Sequence, residues 1–104
     1  MRAHDYLVVV EVEEAIATYE EQRPGRGERF AAALSATFER IEEAPLSFAR
    51  TRFVRRPTVR RAKVLRFPYV VFYYVLHGEP FVLAVAHGKR VEGYWRARVV
   101  AGRR

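Results

Sequence analysis

The run Tyr69-Val70-Val71-Phe72-Tyr73-Tyr74-Val75-Leu76 is apolar or aromatic at every position. Alternate side chains of an extended strand point to opposite faces, so Tyr69, Val71, Tyr73 and Val75 share one face while Val70, Phe72, Tyr74 and Leu76 share the other. Such a strand needs cover on both sides. Two further runs rich in β-branched and aromatic residues flank it, separated by the turn signals Arg66-Phe67-Pro68 and Leu76-His77-Gly78-Glu79-Pro80. The pattern predicts a three-stranded antiparallel meander, with strands over Val59 to Leu65, Tyr69 to Leu76 and Phe81 to His87.

Upstream, Tyr6 to Val10 is short and β-branched and reads as a strand that joins the sheet at an edge. Val12, Ala15, Ile16 and Tyr19 then recur at helical spacing, with Glu13, Glu14, Glu20 and Glu21 opposite, which predicts a first helix over Glu11 to Gln22. Arg23-Pro24-Gly25 stops it. Phe30, Leu34, Phe38 and Ile41 form the stripe of a second helix, over Gly27 to Glu43, with an alanine-rich flank. It ends ahead of Pro45, because the residue before a proline disfavours helical geometry. So short a link makes the two helices an antiparallel hairpin. From Pro45 to Pro57 periodicity is lost, and Leu46, Phe48 and Phe53 alternate irregularly with Arg50, Arg52, Arg55 and Arg56, as in a basic loop pinned by its apolar residues. The fold class expected is α+β: an N-terminal helical hairpin packed on one face of a mostly antiparallel four-stranded sheet.

A chain of 104 residues has room for one domain, over residues 1–104. It contains no cysteine, which excludes a disulfide framework and a thiolate metal site. The apolar run after Met1 is too short for a signal-peptide core or a membrane span, so a cytoplasmic protein is expected. Charge is unevenly placed. Residues 1–49 hold five basic and ten acidic side chains, a balance of −5, and residues 50–104 hold fourteen and two, a balance of +12, which together give the net +7. The positive half is the sheet half, which suggests a polyanionic partner, nucleic acid or an acidic protein segment.

One helical hairpin covers one side of the meander. The second side is left either to the tail, which carries Tyr94, Trp95, Val99 and Val100, or to a partner chain. His4, His77 and His87 have no helical spacing, so no metal site is expected, and no glycine-rich phosphate loop or clustered carboxylate pair stands in the sheet half. No cofactor is implied. What remains is His87-Gly88-Lys89-Arg90, followed by Tyr94, Trp95, Arg96 and Arg98. Histidine is the side chain that changes charge nearest neutral pH, and Lys89 and Arg90 suit the holding of a phosphate. A strand cap at His87 and a solvated turn at Lys89 and Arg90 account for the same residues, and the spacing alone slightly favours them. His87, Arg90 and Tyr94 are expected to converge where the chain leaves its last strand, with Arg61 and Lys63 together on one sheet face and Arg60 and Arg66 on the other.

The order of strand, hairpin with Pro24-Gly25 and Phe30, Ala44-Pro45, Val59-Arg60-Arg61, Arg66-Phe67-Pro68-Tyr69, Val71-Phe72-Tyr73, Ala84-Val85-Ala86-His87, Lys89-Arg90 and Tyr94-Trp95 resembles the RelE/ParE toxin superfamily over nearly the whole chain. The succession Arg-Phe-Pro-Tyr, Tyr73, His87-x-x-Arg90 is similar to its plasmid-stabilisation branch. The resemblance implies a small cytoplasmic toxin of a type II toxin-antitoxin system, held inactive by a cognate antitoxin that wraps it, as a homodimer or as a heterotetramer with the antitoxin.

Two activities follow from it. Relatives of the RelE type are metal-independent, ribosome-dependent endoribonucleases of mRNA, whose basic side chains hold the scissile phosphate while the substrate's 2′-hydroxyl attacks. The matching residues are Lys63, Arg66 and Arg90, with Tyr94 or Arg96 as the C-terminal group. Relatives of the ParE type lack that set and poison DNA gyrase. The arginine that such nucleases carry just after the position of Tyr69 is Val70 here, which turns the reading towards gyrase. The candidate site is therefore His87, Arg90 and Tyr94, with Arg61, Lys63, Arg66, Lys89, Arg96 and Arg98 as contacts for target or nucleic acid. A basic RNA- or ribosome-binding module without toxicity is the alternative from another class.

Overall fold

The computed structural model describes residues 1–52, 56–90 and 93–102. Chain order is β1 (Arg2–Ala3), α1 (Tyr6–Gln22), α2 (Arg26–Glu43), β2 (Arg60–Lys63), β3 (Tyr69–Leu76), β4 (Glu79–His87) and α3 (Arg96–Gly102). The four strands form one sheet in the order β1-β4-β3-β2, with β1 parallel to β4 and the other pairs antiparallel. This is the expected α+β arrangement, a helical hairpin followed by a mostly antiparallel sheet.

The first expected strand is corrected. Tyr6 to Val10 is the opening of α1, and the edge strand is the two-residue β1 ahead of it. Asp5 caps the helix, its carboxylate accepting a hydrogen bond from the Leu7 amide at 2.9 Å, which satisfies one of the free donors of the first turn. Val8 then extends the stripe of Ala15 and Tyr19, all three buried, so a cap and a continuing helical period override the β-propensity of the valines. Val9 and Val10 are left exposed.

The hairpin closes as expected at Pro24-Gly25, with Gly25 at φ 87° leading into α2. A β-carbon on Gly27 would stand 2.8 Å from the Ile16 carbonyl oxygen, so a glycine there lets the two helices approach. Phe30, Leu34 and Ile41 of α2 bury against Val71 and Tyr73 of β3, Val82 and Val85 of β4, and Ala62 of β2. Phe53 and Arg55 of the basic loop lie outside the described residues. Its Arg50 bridges Arg60, and Arg61 donates its amide to Ala49.

Both faces of β3 are covered. Tyr69, Val71, Tyr73 and Val75 meet the hairpin, while Val70, Phe72 and Tyr74 meet a second cluster with Trp95 and Val99 from the tail. The tail therefore supplies part of the second cover itself. A bulge between Phe72 and Tyr73 sets two residues of β4, Leu83 and Ala84, on this second face. The β3–β4 turn is shorter than expected, two residues, His77 and Gly78, both at positive φ, as two-residue hairpins favour. Glu79 and Pro80 already belong to β4.

Candidate functional site

Part of the second face is left open as a cleft of about 400 Å³. β2 contributes Arg61 and Lys63, β3 Val70 and Phe72, β4 Ala86 and His87, and the chain beyond β4 contributes Gly88, Arg90, Gly93, Tyr94 and Trp95. Register accounts for the grouping. Arg61 pairs with Phe72 and Lys63 with Val70, and residues directly opposite on paired strands share a face. The expected parity of β2 holds, because Ala62 and Val64 turn to the hairpin core and Arg60 reaches the Phe48 carbonyl.

His87, Arg90 and Tyr94 do line one cleft. The Arg90 guanidinium stands over the Tyr94 ring, 3.9 Å from its centroid, a cation–π contact. The Lys89 amide donates to His87 Nδ1 at 3.0 Å, which leaves the neutral ring's proton on Nε2. The His87 ring meets the Tyr69 ring edge-on at 5.3 Å, and Gly88 N donates to Pro68 O at 2.6 Å. The β2–β3 turn and the end of β4 thus hold each other.

The remaining candidates separate. Lys89, Arg66, Arg96 and Arg98 lie outside the cleft lining. Arg66 is exposed in the β2–β3 turn at φ 71°, and Arg96 opens α3, exposed. Arg98 turns inward, its side chain 13% exposed, and makes a two-pronged ion pair with Glu11 of α1 at 3.0 and 2.9 Å. Tyr94 donates its hydroxyl to Glu11 Oε2 at 2.5 Å, the oxygen that also accepts from Arg98 Nη2. Burial and then that hydrogen bond push the Tyr94 hydroxyl well above the ordinary tyrosine pKa. Burial is the largest single influence on Arg98 and lowers its pKa, but the hydrogen bond to Glu11 and the charges of Glu11, Tyr94 and Asp5 together outweigh it, so its net shift is upward.

Glu11 is the residue that sequence reasoning passed over. It stands at the expected start of a helix, and nothing local marks a carboxylate whose partners lie 74 to 87 positions downstream. The apolar floor of Phe72 and Trp95 was legible as aromatic residues but not as part of a cleft.

A helical hairpin on a four-stranded sheet, with a cleft on the sheet's far face lined by Arg61, Lys63 and Arg90, defines a small α+β domain. Residues 8–92 match the family described as the ParE toxin of type II toxin-antitoxin system, parDE. The chain belongs to that family and is a toxin of a type II toxin-antitoxin system, with an antitoxin as its partner. No curated protein is significantly similar to it. Among the described residues no helix is long and apolar enough to cross a membrane.

Proposed function

We propose that the toxin acts by binding DNA gyrase through the cleft bordered by Arg61, Lys63, His87 and Arg90, without cleaving RNA. The observation that carries this reading is Val70. It lines the cleft opposite Lys63, at the position where the RNA-cleaving branch of the superfamily carries an arginine, and an isopropyl group there stabilises no phosphate charge. The Tyr94 hydroxyl supports the same reading. Tied to Glu11 and shifted upward, it is poorly placed to exchange a proton with a substrate near neutral pH. Arg61, Lys63 and Arg90 remain to steer and hold an acidic surface.

Expression of the chain should arrest growth, and co-expression of its antitoxin should relieve the arrest. Purified toxin added to a gyrase supercoiling assay should inhibit it, with Lys63→Ala weaker, and mRNA in a translating extract should stay intact. Cleaved mRNA with unimpaired supercoiling would overturn the gyrase reading in favour of a ribosome-dependent endoribonuclease, in which His87 and Arg90 take the working roles.

A further inference from the structure

We infer that Glu11 is a positioning residue of the cleft: from α1 it holds the α3 segment on the second face of the sheet, and so fixes Arg90 and Tyr94 in the cleft wall. Its functional half rests on reading that cleft as the target-contacting surface.

The outer edge of β4 shows why a carboxylate is needed there. β1 pairs with Phe81 and Val82 only, so beyond them the edge of β4 has no strand to receive its backbone groups. The Val85 amide donates to Glu11 Oε1 at 3.1 Å, and the Leu83 carbonyl accepts from Arg98 Nη1 at 3.1 Å. The ion pair therefore stands where the next strand would be, which satisfies the edge and closes it to further pairing. The same carboxylate takes the Tyr94 hydroxyl, and Arg90 Nη1 lies 4.0 Å from Oε2 while its guanidinium rests on the Tyr94 ring.

Helix α3 is seven residues long, too short to be stable by itself. Its attachments among the described residues include the packing of Trp95 and Val99, a hydrogen bond between His4 Nε2 and the Arg98 carbonyl at 3.0 Å, the Arg98 bond to the Leu83 carbonyl, and the Glu11 carboxylate, which supplies the counter-charge. Residues 50–104 carry only two acidic side chains, Glu79 and Glu92, and Glu79 pairs with Arg2. Arg98, nearly buried, thus draws its counter-charge from the acidic hairpin on the far side of the sheet edge. Without it a desolvated guanidinium would keep the Leu83 carbonyl but lose its bonded carboxylate, and would turn towards water, carrying α3 with it. Glu11 is not among the residues lining the cleft, so its effect on a bound target passes through Arg90 and Tyr94.

The chain contains a single tryptophan, Trp95, fully buried between α3 and the sheet, and its emission reports whether the segment is docked. In full-length Glu11→Gln, Trp95 emission should move to longer wavelength with stronger acrylamide quenching. Far-UV circular dichroism should still show the helical hairpin. Growth arrest should fall by about tenfold or more, as the loss of one charge-assisted contact would produce. Lys63→Ala, at a residue that is not among the partners of Glu11, should lower toxicity with Trp95 emission unchanged. Unchanged Trp95 emission in Glu11→Gln overturns the inference. Exposed Trp95 with full toxicity overturns the positioning role. Full toxicity in Lys63→Ala would instead sink the cleft reading, while the Trp95 response still decides what Glu11 holds. If Glu11→Gln loses the hairpin signal, Arg98→Lys replaces it. That variant keeps the charge but not the two-pronged fit, and it should move Trp95 emission in the same direction.

Discussion

Gly27 of α2 faces the backbone carbonyl of Ile16 in α1 so closely that an added β-carbon would stand 2.8 Å from its oxygen, with Glu20 at 3.0 and 3.1 Å on the same side. The pair sets how near the two helices lie, and with it how the tilted rings of Phe30 and Tyr19, 5.1 Å apart, meet Phe67 of the β2–β3 turn and Tyr69 at the start of β3. Two effects of an alanine at 27 oppose each other. Alanine favours a helix over glycine by about 1 kcal/mol, while overpacking against backbone costs about 1–3 kcal/mol. The obstacle is a carbonyl in a rigid helix, so the clash should win. Gly27→Ala is expected to lower the thermal midpoint, and a raised midpoint in a melting experiment would show that the hairpin slides apart at little cost.

Glu20 serves the same joint from the other helix. Its carboxylate accepts from the Gly25 amide at 3.0 Å and the Gly27 amide at 3.1 Å, so α1 caps the N-terminus of α2, where Gly25 has no side chain to do so. Glu20→Ala should cost about 1 kcal/mol, the usual loss of a side-chain cap. Glu20→Gln should cost less, since it keeps an acceptor and loses only the charge at the positive end of the helix. Urea unfolding of the two variants orders them, and equal losses would assign the whole effect to charge.

These joints mark how far the sequence alone reaches. The meander, the helical hairpin and the face parity of β3 were legible because each is written in a local period, two in Tyr69 to Leu76 and about 3.6 from Phe30 to Ile41. The strand expected at Tyr6 to Val10 was misread because five β-branched or apolar residues look alike in either state, and the deciding capping bond from Asp5 to Leu7 is a feature of geometry. In the site, His87, Arg90 and Tyr94 stood close in sequence and met as expected. Glu11 did not announce itself, since its partners come from the other end of the chain, and Arg98 read as a surface cation until its burial beside Glu11 was seen.

Tyr73 gives the fold a dependence on alkaline pH. It is fully buried, and its hydroxyl donates to the Pro45 carbonyl, which pins the chain leaving α2 to the centre of the sheet. Burial, opposed weakly by the charge of Arg60, pushes its pKa up to about 12, against about 10 in the unfolded chain. A raised pKa means that the folded state favours the neutral phenol. The advantage is complete below about pH 10 and is lost as the pH rises towards 12, for a total of about 2–3 kcal/mol at 1.36 kcal/mol per unit. Tyr73→Phe should flatten this fall while lowering stability near neutral pH by about 1 kcal/mol through the unpaired carbonyl. Urea midpoints measured between pH 8 and 12 would show it, and parallel curves for the two proteins would remove Tyr73 as the cause.

The cleft makes the prediction on which the functional reading depends most. Arg90 is 54% exposed at its side chain and Lys63 is exposed on the short strand β2, so neither supports the core. Alanine at either position should leave stability within about 0.5 kcal/mol, as for most surface substitutions, and should leave antitoxin binding largely intact. Loss of a rim charge chiefly slows encounter with an oppositely charged target and weakens its salt dependence. Both variants should therefore bind the target about tenfold more weakly at low ionic strength. The gap from the parent protein should narrow near 1 M salt, where the screening length falls to about 3 Å. Were the toxin to cleave RNA, Arg90→Ala would instead cost about 10²–10³-fold in rate, the usual loss on removing one charge-stabilising donor, with little change in binding. Growth arrest and affinity measured across a salt series separate the two. A well-folded Arg90→Ala protein that remains fully toxic would place the working surface away from the end of β4.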